Sequence, residues 1–432
     1  MSDIFDVVIV GAGAAGLSAA RQAREMGLSF KVFEAKDRIG GRTFTDTASL
    51  GMTWDRGAHW LHSADVNPLT KIADELGHPY HRHDEGSFYR HLFLGQKAGR
   101  PVWADEEAYT AYREEFEAAY DIAHVQGEAG EDIPVSETLD PSARFYRITR
   151  HLFQAICGGD PEDLSAVDFA RYADTEKNWP LERGYGALIA AYFADIPVTL
   201  SCPVHRIDMT GANVKVATEE GTVEAKSVIV TVSTNVLSSG AIRFLPQLPA
   251  RTQEALEGVP TGHANKVAFA FKREVFGLPE MSHPLAIDEK KPARPALSFQ
   301  IRPFGHNMAI AYFGGSEAAD LERAGRDVMI AHARGMLGDM FGTDIFKEMS
   351  GVESTAWTTD PHTLGAYSYG KPGKSDMRER LSEPVGDRLF FAGEAVPLDW
   401  YSTVHGAYVS GMSATQKAAH YLGRGVAGEA SA

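Results

Sequence analysis

Gly11-Ala12-Gly13-Ala14-Ala15-Gly16 and, a strand further on, Glu34 combine three closely spaced glycines with a carboxylate. Glycine allows a tight turn at Gly11, close approach of a phosphate to the backbone at Gly13, and close helix–strand packing at Gly16. A carboxylate at the end of the next strand accepts hydrogen bonds from ribose hydroxyls and disfavours a 2′-phosphate. Arg38-Ile39-Gly40-Gly41-Arg42 follows at once. Its glycines admit a second stretch of diphosphate, and its guanidinium groups can grip phosphate oxygens in a forked geometry that Lys cannot reproduce. Near the other end, Gly393-Glu394 offers a carboxylate suited to a polyol. Lys266 stands at the start of the apolar run Val267-Ala268-Phe269-Ala270-Phe271, and a Lys buried there needs partners. NAD and FAD share the first fingerprint, so it points to a dinucleotide before it says which.

Certain elements must position these groups. Ile4 to Val10 reads as a β-branched strand feeding the Gly-rich turn, Leu17 to Met26 as a helix, and Ser29 to Phe33 as the strand that delivers Glu34. Arg388 to Phe391 reads as a buried strand leading into Gly393-Glu394. A helix follows from near Thr403, with Gly406, Ala407, Gly411 and Ala414 keeping one face small. Val198 to Ile207, Asn213 to Ala217 and Val228 to Val232 read as short strands joined by Gly turns. The stretch from about Asn67 to Asp195 is rich in helical spacing, acidic clusters and Pro breaks, and is expected to be helical.

A chain of 432 residues exceeds one ordinary core, so two domains sharing a cleft are expected. Hydrophobic residues make up 44% and charged residues 23%. No apolar run approaches the roughly 20 residues that span a bilayer, so no membrane anchor is expected. The chain runs almost directly from Met1 into its first strand, without a basic leader, and a cytoplasmic location is the corresponding expectation. Cys157 and Cys202 are the only cysteines, too few for a disulfide framework and without metal-ligand spacing; no metal is expected. A net charge of −16 argues against nucleic acid as partner.

The step from Glu34 directly to Arg38-Ile39-Gly40-Gly41-Arg42 resembles the flavin amine oxidases, the family of monoamine oxidases, polyamine oxidases, L-amino-acid oxidases and flavin histone demethylases. The resemblance implies FAD, with Gly11, Gly13, Ala15 and Gly16 at its diphosphate, Glu34 and Ala35 at the adenosine ribose, and Arg38, Gly41 and Arg42 at the second phosphate stretch. Asp55-Arg56-Gly57-Ala58-His59-Trp60-Leu61-His62 is similar to the family segment that runs along the flavin ring, and its His-Trp version is most similar to animal polyamine oxidases. It puts Gly57, Ala58, His59 and Trp60 at the cofactor. His59 is also a candidate to relay a proton and His62 a candidate to bind the substrate, a satisfied structural histidine being the competing role for each. The resemblance further implies that Val204 meets adenine through its backbone and that Glu394, after Gly393, meets the ribityl chain. Thr403, Val404 and Ala407 would set a helix N-terminus against the pyrimidine end, where reduced flavin is anionic.

On the substrate side the resemblance rests on Asn265-Lys266-Val267 and on Trp357 through Asp360-Pro361 to Gly365-Ala366-Tyr367. It implies that Lys266 assists reoxidation by O2, that Trp357 lines the cofactor, and that Tyr367 flanks the reactive amine with its π face. Monoamine oxidases carry a flavin-linking Cys just before that Tyr. Here Ala366 stands there, so noncovalent FAD is expected. The opposite wall is often a Tyr where this chain has Thr403, which leaves Trp400 and Tyr401 as candidate substrate contacts or as packing residues.

The implied fold is α/β: a Rossmann-like, p-hydroxybenzoate hydroxylase-like FAD domain over 1–75, 196–260 and 385–425, interleaved with an α+β substrate domain over 76–195 and 261–384. The implied reaction oxidises an amine, of the polyamine or another primary or secondary type, to an imine and then an aldehyde while O2 becomes H2O2. The partners are thus a small amine and O2. The alternatives are another flavin oxidoreductase of protoporphyrinogen oxidase or carotenoid desaturase type, or an L-amino-acid oxidase. The segments Trp357 to Tyr369 and Tyr401 to Ala407 argue against the first two.

Overall fold

The computed structural model describes residues 4–82 and 91–424, so the expected domain end at residue 425 lies outside the described residues. Apolar β-branched residues make Phe5–Val10 a strand buried on both faces, and it takes an interior place, one strand in from the edge, in a seven-stranded sheet. Parallel partners flank it, Phe30–Phe33 on one edge and Gly221–Val230 on the other. The end of Gly221–Val230 also pairs in parallel with Leu389–Phe391, while its beginning turns back antiparallel onto Val214–Thr218. Segments remote in sequence therefore build one sheet.

The helix Ala14–Glu25 follows the first strand and packs with the C-terminal helix Val404–Tyr421 over one face of this sheet. Small residues make the approach possible: a Cβ on Gly411 would lie 2.0 Å from the Ala15 carbonyl oxygen. Tyr185, Leu188 and Ile189 of the helix Tyr185–Tyr192 join the same core. The opposite face is covered by a separate apolar cluster that includes Leu256 and Leu381.

The second seven-stranded sheet is largely antiparallel and runs in the order Met349–Ser354, Ala264–Phe271, Met308–Gly314, Leu297–Ile301, Leu285–Ala286, Leu92–Lys97, Arg100–Trp103. The helix Arg326–Phe341 packs Met336 and Leu337 into the core under it.

The helices Glu106–Glu128 and Tyr146–Cys157 answer the expected helical stretch, but Leu92–Lys97 and Arg100–Trp103 within it form a hairpin. Ala98 and Gly99 both take positive φ, which is the turn geometry whose twist matches a two-residue hairpin loop. Pro101 is tolerated because its strand lies at the sheet edge. No described helix is long and apolar enough to cross a membrane.

Candidate active site

The Gly-rich turn is built as its spacing requires. Gly11 has φ +103°, and a Cβ there would lie 2.5 Å from the Thr231 hydroxyl, while a Cβ on Gly16 would lie 1.9 Å from the Gly11 carbonyl oxygen. Gly13 caps the helix Ala14–Glu25, and no side chain bonds to its first amides, so that N-terminus keeps its donors for a ligand. A Cβ on Gly13 would find nothing nearer than the Gly41 Cα at 4.0 Å. The second glycine turn thus faces the first, joined to it by the Gly40 amide donating to the Ala12 carbonyl at 2.8 Å. Glu34 is buried, and its two oxygens accept from the Ala12 amide at 2.7 Å and the Lys36 amide at 2.9 Å. It fixes the turn as well as presenting charge beside it. Ala35 follows it partly exposed, Ala15 is buried under the turn, and Val204 opens the strand Val204–Asp208, buried in the apolar cluster that includes Leu256 and Leu381.

Arg38 stacks its guanidinium on the Phe44 ring at 4.0 Å. Arg42 reaches across to the other end of the chain, donating to Glu394 at 2.7 Å and to the Ala366 carbonyl at 2.6 Å. The other Glu394 oxygen accepts from the Ser368 amide and hydroxyl. Burial pushes the Glu394 carboxyl up, but Arg42 and the Ser368 bonds outweigh it and hold the group below its usual range. Gly393, at φ +141°, lets the strand turn into this carboxylate.

The segment after Arg42 is equally tight. A Cβ on Gly57 would lie 1.7 Å from the Arg42 carbonyl oxygen, and the Ala58 amide donates to that same oxygen. Trp357 lies against Gly57 and donates its indole N–H to the Arg56 carbonyl at 3.1 Å.

Lys266 is 8% exposed and directs its ammonium to three acceptors: the Asp55 carbonyl at 3.0 Å, the Gly57 carbonyl at 2.6 Å and His59 Nδ1 at 3.1 Å. Burial draws its pKa down to about 8, with the Asp55 charge opposing the shift. Burial raises Asp55 to about 6 against the bonds it accepts from Thr45 and the Tyr185 amide. His59 is held well below its ordinary value, first by burial and then by the Lys266 charge. Trp60 packs beside His59 with ring centroids 4.8 Å apart. His62 bonds through Nδ1 to Asn178 at 2.6 Å.

Tyr367 follows Ala366 and anchors its hydroxyl on the Ala155 carbonyl; its ring lies where Gly158 leaves room, since a Cβ there would sit 2.9 Å away. Thr403 caps the C-terminal helix, accepting from the Gly406 amide at 2.9 Å and donating to the Trp400 carbonyl at 2.7 Å. Val404 and Ala407 pack half-buried on the core between that helix and Ala14–Glu25. Trp400 meets the His405 ring edge-on at 5.2 Å. Tyr401 is buried, donates to the Asp168 carbonyl and lies under the Arg378 guanidinium at 3.9 Å, which is a packing arrangement.

These contacts form one continuous line from Gly13 through Gly41, Arg42, Glu394 and Ala366 to Tyr367, and from Arg42 through Gly57 to Lys266 and His59. Sequence reasoning missed the pair beneath it. Arg378 and Asp168 side chains are 1% and 4% exposed and make bonds of 2.7 and 2.9 Å. A charged residue in the short helix Met377–Leu381 gives no sequence sign of a partner as distant as Asp168 in the helix Ala166–Ala170. Arg378 also donates to the Ser368 hydroxyl that bonds Glu394. Arg378→Met strands the Asp168 carboxylate in the interior, so it is expected to lower stability by about 3–5 kcal/mol. A chemical denaturation midpoint unchanged from the parent protein would refute that.

The family model for flavin containing amine oxidoreductase matches residues 14–419. A probable polyamine oxidase 4 of Arabidopsis thaliana is 30% identical over 96% of this chain and 87% of its own length. Lysine-specific histone demethylase 2 of Homo sapiens is 28% identical over 96% of this chain, which spans 53% of that protein. Among solved structures, cyclohexylamine oxidase from Brevibacterium oxydans IH-35A superposes with a TM-score of 0.78 at 21% identity, over 98% of this chain and 100% of its own. That likeness establishes the fold.

Proposed function

Because the chain belongs to the flavin-containing amine oxidoreductase family, we propose that it binds FAD noncovalently and oxidises a polyamine-type primary or secondary amine to an imine, passing the electrons to O2. The observation that carries this reading is the unbroken line of contacts from the Gly13–Gly41 cradle through Arg42–Glu394 to Lys266, His59 and Tyr367. The uncapped helix start at Gly13, the glycine cradle and the carboxylate at Glu394 fit a dinucleotide with a polyol arm. The division into segments 1–75, 196–260 and 385–425 against 76–195 and 261–384 is part of the reading.

Bound FAD would accept a hydride equivalent from the amine α-carbon and return two electrons to O2. The chain supplies everything else. Glu34, Arg38 and Arg42 hold the diphosphate and ribose end, while Glu394 and the helix start at Thr403 to Ala407 hold the flavin end. Trp60 and Trp357 exclude water, and Tyr367 orients the amine nitrogen. His59 and His62 line the approach of the amine, and Lys266 holds a proton at Nζ on the oxygen side. Trp400 is the remaining aromatic candidate for the wall opposite Tyr367, supported by its partial exposure beside His405.

The decisive experiment measures H2O2 from the yellow protein with spermine, spermidine, acetylated polyamines, putrescine, cyclohexylamine, aromatic monoamines and amino acids. Turnover of at least one polyamine is expected, and turnover of none of these amines would sink the reading. Only the neutral amine can give up hydride equivalents, and alkyl amines titrate near pKa ~10. The amine kcat/KM should therefore climb from pH 6 to 9; a flat profile would count against it. Ala366 offers no thiol for a flavin bond, so acid precipitation is expected to leave all flavin in the supernatant. Yellow colour retained in the washed pellet would contradict this.

A further inference from the structure

The face of the second sheet that carries Lys266 also carries Tyr312 and Gln300. Lys266 pairs with Tyr312 across the strands Ala264–Phe271 and Met308–Gly314, and Tyr312 pairs with Ser298, two residues before Gln300. Residues two apart on a strand share a face. Lys266, His59, Tyr312 and Gln300 also line one cavity.

Their hydrogen bonds run in one direction. An ammonium has three donors and no acceptor, so His59 Nδ1 must accept from Lys266. The ring hydrogen of a neutral His59 then sits on Nε2 and donates to the Tyr312 hydroxyl at 3.2 Å. Tyr312 in turn donates to Gln300 Oε1 at 3.1 Å, and an amide oxygen can only accept. His59 and Tyr312 rings lie nearly parallel, 5.5 Å between centroids, which keeps the ring from swinging out of line. Among the described residues, the charged and titratable groups facing His59 are Lys266, His62, His283 and the Tyr312 hydroxyl, with Asp55 acting on Lys266.

We propose that Gln300 and Tyr312 are positioning residues that lock His59 as the Nε2–H tautomer, so that Nδ1 supplies the third acceptor on the Lys266 ammonium. Without that acceptor Lys266 would lose a charge-assisted hydrogen bond and release its proton more readily. The locking itself concerns only this chain, whereas its kinetic consequence rests on the proposed oxygen-side role of Lys266.

The experiment records long-range 1H–15N spectra of the FAD-loaded, 15N-histidine-labelled protein, with the His59 signals assigned by their loss in His59→Asn. The parent protein is expected to show His59 protonated on Nε2. In Gln300→Leu the Tyr312 hydroxyl loses the Gln300 acceptor and competes with Lys266 by donating to Nε2, so Nδ1–H is expected to appear alongside Nε2–H. Tyr312→Phe is expected to give a mixture, and Gln300→Glu, which keeps an acceptor, the parent tautomer. The remaining histidine signals report whether each variant is folded. The pH midpoint for O2 reoxidation should fall by about one unit in Gln300→Leu and Tyr312→Phe.

An Nδ1–H tautomer in the parent, or an unchanged tautomer in both Gln300→Leu and Tyr312→Phe, overturns the proposal. A shifted tautomer population with an unmoved midpoint overturns its link to Lys266. Failure of every amine to turn over refutes the oxidase reading but leaves the tautomer result readable.

Discussion

Lys266→Met is expected to slow reoxidation of the reduced protein by O2 about 100-fold, the scale seen when a preorganised charged donor is removed from a reacting centre. Anaerobic reduction by amine should change far less, because Lys266 is proposed to act on the oxygen side. Methionine matches the length of the side chain but donates to none of the Asp55 and Gly57 carbonyls or to His59 Nδ1. The pH dependence has a definite sign. Lys266 has a pKa drawn down to about 8, so it carries its proton below that value and loses it above. The O2 rate constant of the parent protein should therefore decline as pH rises through about 8, while that of Lys266→Met stays level. Stopped-flow mixing of reduced enzyme with oxygenated buffer measures both. Equal O2 rate constants in the two proteins would remove Lys266 from the oxygen step.

The second large effect separates cofactor binding from folding at two glycines of one turn. Gly13→Ala places its methyl where the nearest atom of the chain is 4.0 Å away, and Gly13 has an ordinary extended backbone with φ −75°. Thermal stability of the cofactor-free protein is thus expected to stay within about 0.5 kcal/mol of the parent. The same methyl occupies the space between the two glycine turns that the diphosphate is proposed to enter. FAD affinity should drop at least about 10-fold, a loss of about 1.4 kcal/mol. Gly16→Ala differs in kind. Its methyl would sit 1.9 Å from the Gly11 carbonyl oxygen, so helix and strand must separate, at about 3 kcal/mol or more of stability. Titration of both apoproteins with FAD, alongside their melting curves, decides the matter. Full FAD affinity in Gly13→Ala would show that this turn is not the diphosphate cradle.

What the sequence reveals here depends on how local the cause is. Gly11, Gly13, Gly16 and Glu34 are legible because a strand, a turn and a helix lie within one short stretch and each residue type has a backbone reason to be there. Thr403 is legible as a helix start for the same reason, and the structure makes it the capping residue of Val404–Tyr421. The hairpin at Leu92–Trp103 is hidden because Ala98 adopts positive φ without being Gly, Asn or Asp, so the turn shows no ordinary turn residue at that position. Arg378 is hidden because a charged residue defaults to the surface, and only Asp168, brought close by the fold, explains its burial. Tyr401 illustrates the converse. Its position in a family-like segment leaves substrate contact and packing both open, and only the fold shows that Arg378 and Asp168 are the neighbours holding it. Tyr312 and Gln300 stand in strands whose apolar neighbours dominate the pattern, and only sheet register shows that they share a face with Lys266.

The sheet that carries the glycine turn has a consequence for how the molecule is made. The first strand finds Phe30–Phe33 early on one flank, but on the other Phe5 pairs with Ala225, and Leu389–Phe391, which joins at Val228, comes only after the whole second sheet. Pairings between such remote residues bear the full loop-closure cost before any contact offsets it, which makes folding slow. During synthesis at about 5–20 residues per second, Phe5–Val10 gains Phe30–Phe33 within seconds, whereas its other edge stays open for roughly tens of seconds until Gly221–Val230 emerges. Arg42 likewise waits for Glu394. Cofactor capture is therefore a late event in assembly, and a nascent chain halted before Leu389 would hold the first glycine turn but not the carboxylate that closes the site.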